Sequence, residues 1–88
     1  MPHVYILRCR DGSLYTGVTT DLARRLGQHR AGVASRYTRS RLPVRLVFKR
    51  QVATWSAALR EERRIKALSR PAKLLLVRGA AAKSRLTF

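Results

Sequence analysis

Residues 4–18 have the sequence VYILRCRDGSLYTGV, and this stretch decides the fold. Its two halves, 4–9 and 13–18, are rich in the β-branched, aromatic and apolar residues that are typical of β-strands. The dipeptide Asp11-Gly12 between them is a strong signal for the turn of a β-hairpin. The chain is therefore predicted to begin with two antiparallel strands.

The register of this hairpin decides whether Tyr5 and Tyr15 share a face of the sheet. A strict two-residue turn at Asp11-Gly12 places the two tyrosines on opposite faces, because side chains alternate along a strand. An odd-length connection or a bulge shifts the pairing by one residue and brings both to the same face. A site that uses both tyrosines therefore predicts an odd-length connection. The alternative is that the tyrosines only pack within the sheet.

The first helix is predicted directly after the hairpin. Thr19 or Thr20 is expected to cap it, with Asp21 in the first turn, and it runs to about Arg30. Gly32 is expected to stop the helix and to open a basic loop over residues 32–43.

A third strand and two further helices complete the predicted order. Residues 44–48 alternate as a strand does, and a second helix is predicted over residues 54–68 with Thr54 as its cap. A third helix is expected to begin after Ser69 and to end at Gly79. The resulting β-β-α-β-α-α order predicts an α+β fold, a small three-stranded antiparallel sheet flanked by helices. We expect one domain over residues 1–79 and a basic C-terminal tail over residues 80–88.

The charge of the chain points to an anionic partner. Twenty Lys and Arg residues against four Asp and Glu residues give a net charge of +16. Nucleic acid is the expected partner, because neutralising phosphates releases counterions. A ribosome-associated or generally adhesive basic protein is the alternative.

The composition also bears on location. The single Cys9 excludes an intrachain disulfide and a zinc site built on several thiolates. No apolar run approaches the ~20 residues needed to span a bilayer, so no membrane association is expected. A cytoplasmic, nucleoid-associated location is predicted.

Two polar residues on the first helix are candidates for a site. Leu22 and Leu26 define its buried stripe, and Arg25 and His29 lie on the flank of that stripe, four residues apart. Both side chains are therefore expected at the edge of the core, beside a possible cleft. The alternative is that Arg25 is one of many surface cations and His29 a helix-end residue.

A carboxylate on the second helix stands out more clearly. Glu62 projects within about 20° of Trp55, on a helix face whose other residues are Ala58, Leu59 and Ile65. A carboxylate there is costly unless it is paired or bound to a metal. The alternative is an ion pair with Lys66, four residues on. Glu61 is expected on the polar side of the helix.

The order and spacing of these residues resemble the GIY-YIG endonuclease superfamily, and most closely its small stand-alone bacterial members, the YhbQ-like proteins. The segments that carry the resemblance are Val4-Tyr5-Ile6, Tyr15-Thr16-Gly17, Arg25 with His29, Arg36-Tyr37-Thr38-Arg39, and the helix that contains Glu62. The resemblance covers about residues 3–77. Neither motif is spelled literally, since Val4 and Thr16 replace a glycine and an isoleucine.

The resemblance implies a role for each candidate. Tyr5 and Tyr15 match the tyrosines of the two motifs, and one of them would serve as the base; Tyr5 is the first choice, but the two assignments could be exchanged. Arg25 matches the arginine that contacts the scissile phosphate, and His29 matches a histidine found in many members. Glu62 matches the glutamate that binds a single divalent ion, Mg²⁺ or Mn²⁺.

The predicted activity is metal-dependent hydrolysis of phosphodiester bonds in DNA, structure-selective and linked to DNA repair or recombination. A catalytically weak or inactive nucleic-acid-binding module of the same fold is the alternative, and an RNA-binding accessory protein is a third. The chain is expected to be a monomer or a weak homodimer. The residues expected to follow the phosphate backbone are Arg36, Arg39, Arg41, Lys66, Arg70 and Lys73.

Overall fold

A computed structural model describes residues 1–87 of the chain, and for residues 81–87 it describes the backbone alone. The three strands form one antiparallel sheet in the order β2-β1-β3, which confirms the predicted α+β class. The elements in chain order are β1 (His3–Arg8), β2 (Leu14–Thr19), α1 (Leu22–Arg30), α2 (Arg36–Arg39), β3 (Arg45–Gln51), α3 (Trp55–Lys66) and α4 (Arg70–Thr87).

The central strand β1 is buried on both faces. Val4 and Ile6 lie in a core that they share with residues of α3 and α4. Tyr5 and Leu7 lie in a second core that includes residues of α1 and α2. Because side chains alternate along a strand, a strand with helices on both sides must be apolar almost throughout. The face of β1 that carries Tyr5 and Leu7 therefore packs against α1 and α2.

The hairpin has the shifted register that a two-tyrosine site requires. Tyr5 pairs with Gly17 and Leu7 pairs with Tyr15, so Tyr5 and Tyr15 lie on the same face. The connection is odd in length, since the N–H of Cys9 donates to the carbonyl of Ser13 across three intervening residues. Gly12 closes this loop with a φ of +84°, a conformation that glycine adopts without steric cost. The predicted odd-length connection is confirmed.

Two predictions in the segment between β2 and β3 were wrong. Asp21, not Thr19 or Thr20, caps α1, because its carboxylate accepts the backbone N–H of Arg24. The predicted loop over residues 32–43 contains the short helix α2, which Ser35 caps by accepting the N–H of Thr38. A serine cap within a run of glycine, serine and arginine was the available signal for this turn.

The second half of the chain differs from prediction in helix α3 and helix α4. Thr54 caps α3 as expected, and Ala58 and Ile65 are buried. Trp55 and Leu59, which were expected on the buried face, are exposed. Helix α4 continues past Gly79, its predicted end, because the alanine-rich residues that follow are strong helix formers.

The predicted division at residue 79 stays a prediction, because the side chains of residues 81–88 and the whole of residue 88 lie outside the described residues. Within the part of the chain that the structure describes, no helix is long and apolar enough to cross a membrane.

Candidate active site

A buried chain of hydrogen bonds links β1 to α1 and α2. The hydroxyl of Tyr5 lies 2.8 Å from Nε2 of His29, and Nδ1 of His29 lies 2.9 Å from Oγ1 of Thr38. The Thr38 hydroxyl lies 2.8 Å from Oγ of Ser35 and also donates to the carbonyl of Ser35. Tyr5, His29 and Thr38 are each at most 1% exposed. Three elements are therefore held together by polar side chains in the core.

The directions of these hydrogen bonds follow from the need to satisfy the buried phenol. His29 is the one hydrogen-bond partner of the Tyr5 hydroxyl among the described residues. If Nε2 carried the proton, the Tyr5 O–H would have no acceptor, at a cost of about 1–3 kcal/mol. We therefore assign Nε2 as the acceptor and Nδ1 as the donor to Thr38. The Thr38 hydroxyl then donates its own hydrogen bond to the carbonyl of Ser35.

Burial changes the proton affinity of both partners. Burial raises the pKa of Tyr5 strongly, and the charge of Tyr15 adds to this, whereas Arg25 lowers it and Glu62 raises it. Burial also lowers the pKa of His29, and the positive charge of Arg25 lowers it further. Near neutral pH, Tyr5 is thus a phenol and His29 a neutral imidazole.

His29 does not lie where the sequence analysis expected it. It was predicted at the edge of the core beside Arg25, but its imidazole is fully buried beneath the two tyrosines. The ring centroids of His29 and Tyr15 are 5.2 Å apart, with the rings nearly perpendicular. The hydrogen bonds to Tyr5 and Thr38 account for this burial, because they satisfy both ring nitrogens.

A third tyrosine extends the aromatic layer. Tyr37 of α2 stacks on Tyr15, with centroids 6.0 Å apart and an interplanar angle of 26°. The guanidinium of Arg41 lies 3.9 Å above the ring of Tyr37 and pairs with Asp11 in the hairpin loop. Tyr15 is thus held between His29 on one side and Tyr37 on the other, and it is half-buried.

Arg25 lines a polar cleft at the start of α1. The cleft has a volume of about 200 Å³, and Arg25 is half-buried within this surface. The charge of Arg25 acts on both Tyr5 and His29. A guanidinium that lines a polar cleft and whose charge acts on Tyr5 is suited to hold a phosphate. The residues that line the cleft are Thr19, Thr20, Asp21, Arg24, Arg25 and Gln28.

Glu62 forms the ion pair that the sequence left open as the alternative. Its Oε2 lies 3.2 Å from Nζ of Lys66, and the Glu62 side chain is 22% exposed. Its neighbour Glu61 is bound by two arginines, Arg50 and Arg64, which hold the pKa of the Glu61 carboxyl below its usual range. Glu62 is held less firmly than Glu61, because Lys66 is its one ion-pair partner among the described residues. Helix α3 packs on the face of the sheet that carries Val4 and Ile6, opposite to the face that carries Tyr5. The negative charge of Glu62 contributes to the raised pKa of Tyr5.

A metal ion at this site would depend on few protein ligands. Among the described residues, no group of three or more His, Cys, Asp or Glu side chains could hold a metal ion. Mg²⁺ commonly binds through one or two carboxylates and completes its shell with water and substrate phosphates. Glu62 is half-buried, and Lys66 is its one ion-pair partner among the side chains that the structure describes, so it fits that mode.

The residues predicted to follow the phosphate backbone differ in their exposure and in whether they have a partner within the protein. Arg41 and Arg70 have structural partners, because Arg41 pairs with Asp11 and Arg70 donates to the carbonyl of Gly12. Arg36 and Arg39 are exposed on α2. Lys66 is exposed and paired with Glu62, and Lys73 is half-buried on α4.

Two residues of the site had no role in the sequence analysis. Thr38 and Tyr37 were noted only as part of the segment Arg36-Tyr37-Thr38-Arg39. Thr38 is a β-branched polar residue, and Tyr37 is an aromatic residue in a basic stretch, but neither type of residue indicates which side chain it contacts. Their contacts with His29 and Tyr15 depend on the position of α2.

Comparison with known proteins identifies the family of the chain. Residues 1–75 match the family model described as the GIY-YIG catalytic domain. A UPF0213 protein of Halobacterium salinarum is 49% identical over 73 residues, which cover 83% of this chain and 95% of that protein. A UPF0213 protein of Staphylococcus haemolyticus is 44% identical over 75 residues, covering 85% of this chain and 92% of the relative.

A solved structure shares the fold. The solution NMR structure of a UPF0213 protein from Bacillus halodurans aligns with a TM-score of 0.58 at 47% identity. The alignment covers 88% of this chain and 83% of that one. The family match spans most of the chain and includes both tyrosine strands, α1 and Glu62. The chain therefore belongs to the GIY-YIG family, and its relatives are small stand-alone proteins of bacteria and archaea.

Proposed function

We propose that the protein is a metal-dependent endonuclease that hydrolyses phosphodiester bonds in DNA. The observation that carries the proposal is the cluster of Tyr5, Tyr15 and His29 on one face of the sheet. Arg25, one turn before His29 on α1, lines a polar cleft. The net charge of +16 supports a phosphodiester substrate over a neutral one.

The burial of the two tyrosines supports the exchanged assignment, with Tyr15 as the base. Tyr5 is 1% exposed and its raised pKa makes it a poor source of tyrosinate. Tyr15 is half-buried, and its greater exposure supports it as the tyrosine that meets the substrate. In the proposed step, Tyr15 acts as tyrosinate, its phenol proton having been released to solvent. It takes a proton from the attacking water as the water oxygen bonds to phosphorus, while the bond to the leaving oxygen breaks and that oxygen takes a proton from solvent.

The other residues orient the phosphate and the base, and they neutralise the charge that develops during cleavage. Arg25 holds the non-bridging oxygens of the scissile phosphate from the cleft. A Mg²⁺ or Mn²⁺ ion held by Glu62 would neutralise charge on the phosphate and the leaving oxygen. Tyr5 and His29 contact the ring of Tyr15 from the buried side, and Thr38 holds His29 in place. The proposed endonuclease selects its DNA by structure and acts in DNA repair or recombination.

One observation favours a second candidate, a nucleic-acid-binding module that cleaves weakly or not at all. Lys66 already neutralises Glu62, so a metal ion must displace a cation to reach the carboxylate. A protein in which this ion pair persists would bind DNA through its basic surface without hydrolysing it.

A substrate panel separates the two. Linear, flapped, branched and single-stranded DNA and the matching RNAs are incubated with Mg²⁺, Mn²⁺ or EDTA, and products are resolved on denaturing gels. The nuclease predicts cleavage of DNA that requires a divalent ion and stops in EDTA. Salt-dependent binding without cleavage under either metal would establish the binding module instead, and cleavage of RNA alone would refute a DNA substrate.

A further inference from the structure

Two adjacent apolar side chains of α3 face solvent. Trp55 is 46% exposed and Leu59, one turn further on, is 39% exposed. Trp55 is the single tryptophan of the chain. Isolated apolar residues at the surface are common, but an aromatic and an aliphatic side chain in contact range on one helix form a patch. We call this pair the Trp55–Leu59 ridge.

The ridge leads directly to the candidate metal ligand. Trp55, Leu59, Glu62 and Lys66 follow one another at helical spacings of four, three and four residues, so they lie along one stripe of α3. Glu62 lies seven residues after Trp55, which is about 10 Å along the helix axis. Whatever binds near Glu62 can therefore extend onto the ridge.

The surrounding charge restricts the occupant. The other acidic residue of α3, Glu61, is neutralised by Arg50 and Arg64, and Arg60 and Arg63 are exposed on the same helix. A second copy of the chain would bring two charges of +16 together and is disfavoured. An anionic membrane would require a wider apolar face than two side chains interrupted by a carboxylate. An anionic strand that also offers aromatic faces fits both features.

We infer that the Trp55–Leu59 ridge stacks an unpaired base of a nucleic-acid strand whose phosphate lies near Glu62. Bases within a duplex are already stacked on their neighbours, so Trp55 can reach only an unpaired or terminal base. The inference rests on the proposed function for the position of the strand. It adds the substrate class: DNA with unpaired nucleotides beside the cleaved bond.

Trp55 is the single tryptophan of the chain, so the intrinsic tryptophan fluorescence reports on the ridge. In EDTA, so that no cleavage occurs, the intrinsic fluorescence of the full chain is titrated with a single-stranded oligonucleotide and with a closed hairpin duplex of equal charge. Binding itself is followed by the anisotropy of labelled DNA. We expect the single strand to quench Trp55 and the duplex to bind with little quenching. Thermal unfolding confirms that each variant is folded.

Substitutions assign the effect to stacking. Trp55→Ala is expected to weaken single-strand binding by about 5- to 150-fold, the usual range for losing one stacked base, with duplex binding unchanged. Trp55→Phe keeps an aromatic face and should recover most of the affinity. The matched control is Leu75→Ala, which removes an exposed apolar side chain of α4 (66% exposed) and should change neither affinity.

Three results would overturn the inference: tight single-strand binding without quenching, equal losses for single strand and duplex in Trp55→Ala, or quenching by vesicles of anionic lipid but not by oligonucleotides. Failure of the proposed function has a different signature. A chain that shows quenching yet never cleaves under any metal keeps the stacking site and loses the nuclease. A chain that cleaves DNA without quenching of Trp55 keeps the nuclease and loses the stacking site.

Discussion

The Tyr5 phenol lies directly across Gly17, its partner on the neighbouring strand. A Cβ atom added to Gly17 would stand 2.5 Å from the Tyr5 hydroxyl oxygen. Gly17 is the last residue of Tyr15-Thr16-Gly17, one of the segments that carry the resemblance to the GIY-YIG family. Its structural reason is now clear: the missing side chain leaves the space in which Tyr5 reaches His29.

Gly17→Ala is therefore expected to displace the Tyr5 hydroxyl and to break its hydrogen bond to His29. The expected loss is about 1–3 kcal/mol of unfolding free energy, the cost of leaving buried partners unsatisfied. Urea denaturation measures it. The matched control is Gly27→Ala on α1, where nothing lies within 4 Å of the added Cβ. Gly27→Ala should stabilise the helix by about 0.5–1 kcal/mol. Equal stabilities of Gly17→Ala and the wild type would contradict the account.

Thr38 is expected to set the tautomer of His29. Thr38→Val removes the acceptor of the Nδ1 proton and retains the shape of the side chain, whereas Thr38→Ser keeps the hydroxyl. The ¹⁵N chemical shifts of the imidazole report directly which nitrogen carries the proton. We predict the Nδ1–H form in the wild type and in Thr38→Ser, and a mixture or the Nε2–H form in Thr38→Val. An unchanged tautomer in Thr38→Val would show that Thr38 does not position the ring.

His29 is expected to make stability fall at acidic pH. The pKa of His29 is lowered in the folded state by burial and by Arg25, so the unfolded chain binds the proton more readily. Stability is then complete above the unfolded value of about 6.5 and declines as pH falls below it, by at most about 1.4 kcal/mol per pH unit, until the folded pKa is passed. Urea unfolding between pH 8 and pH 5 tests this.

The matched variant His29→Gln has no titrating ring. It should show a shallower decline in stability than the wild type over the same pH range. If the two slopes coincide, the buried imidazole is not the group that links stability to pH.

Two arginines close together in the sequence are expected to behave differently. Arg41 pairs with Asp11 and covers the ring of Tyr37, so Arg41→Gln should lower the unfolding free energy by about 1 kcal/mol. Arg39 is exposed on α2, so Arg39→Gln should leave stability within about 0.5 kcal/mol. Instead it should reduce the slope of log Kd against log salt by about 1. Identical effects of the two substitutions on both measurements would refute this division.

The fold could be predicted largely from local signals. Asp11-Gly12 defined the hairpin, and the apolar pattern of residues 4–9 indicated a buried strand. What local patterns could not supply were contacts made across elements. His29 was expected at the edge of the core, and its burial depends on partners from β1 and α2 that are distant in sequence. The same holds for Trp55. Its position on the apolar face of α3 predicted burial, but the residues of α3 that lie in the core are Ala58 and Ile65.

The residues of the candidate site could be proposed from the sequence, but their burial and mutual contacts could not. Tyr5, Tyr15, Arg25 and Glu62 could be selected from spacing and resemblance. The sequence did not show that Tyr5 is enclosed and Tyr15 half-buried, which is the difference on which the proposed choice of base rests. Thr38 and Tyr37 lay in a predicted loop, and only the position of α2 shows that they contact the site.

The central claim, that Glu62 and not simply a negative charge on α3 supports hydrolysis, is tested by one pair of variants. Glu62→Gln and Glu61→Gln remove the same charge from adjacent positions of the helix. The measurement is the single-turnover rate of cleavage of the best DNA substrate in Mn²⁺. We predict a loss of about 100-fold or more for Glu62→Gln, the usual cost of losing a group that stabilises transition-state charge, and a rate within about 3-fold of the wild type for Glu61→Gln. Equal rates for the two variants would contradict the account.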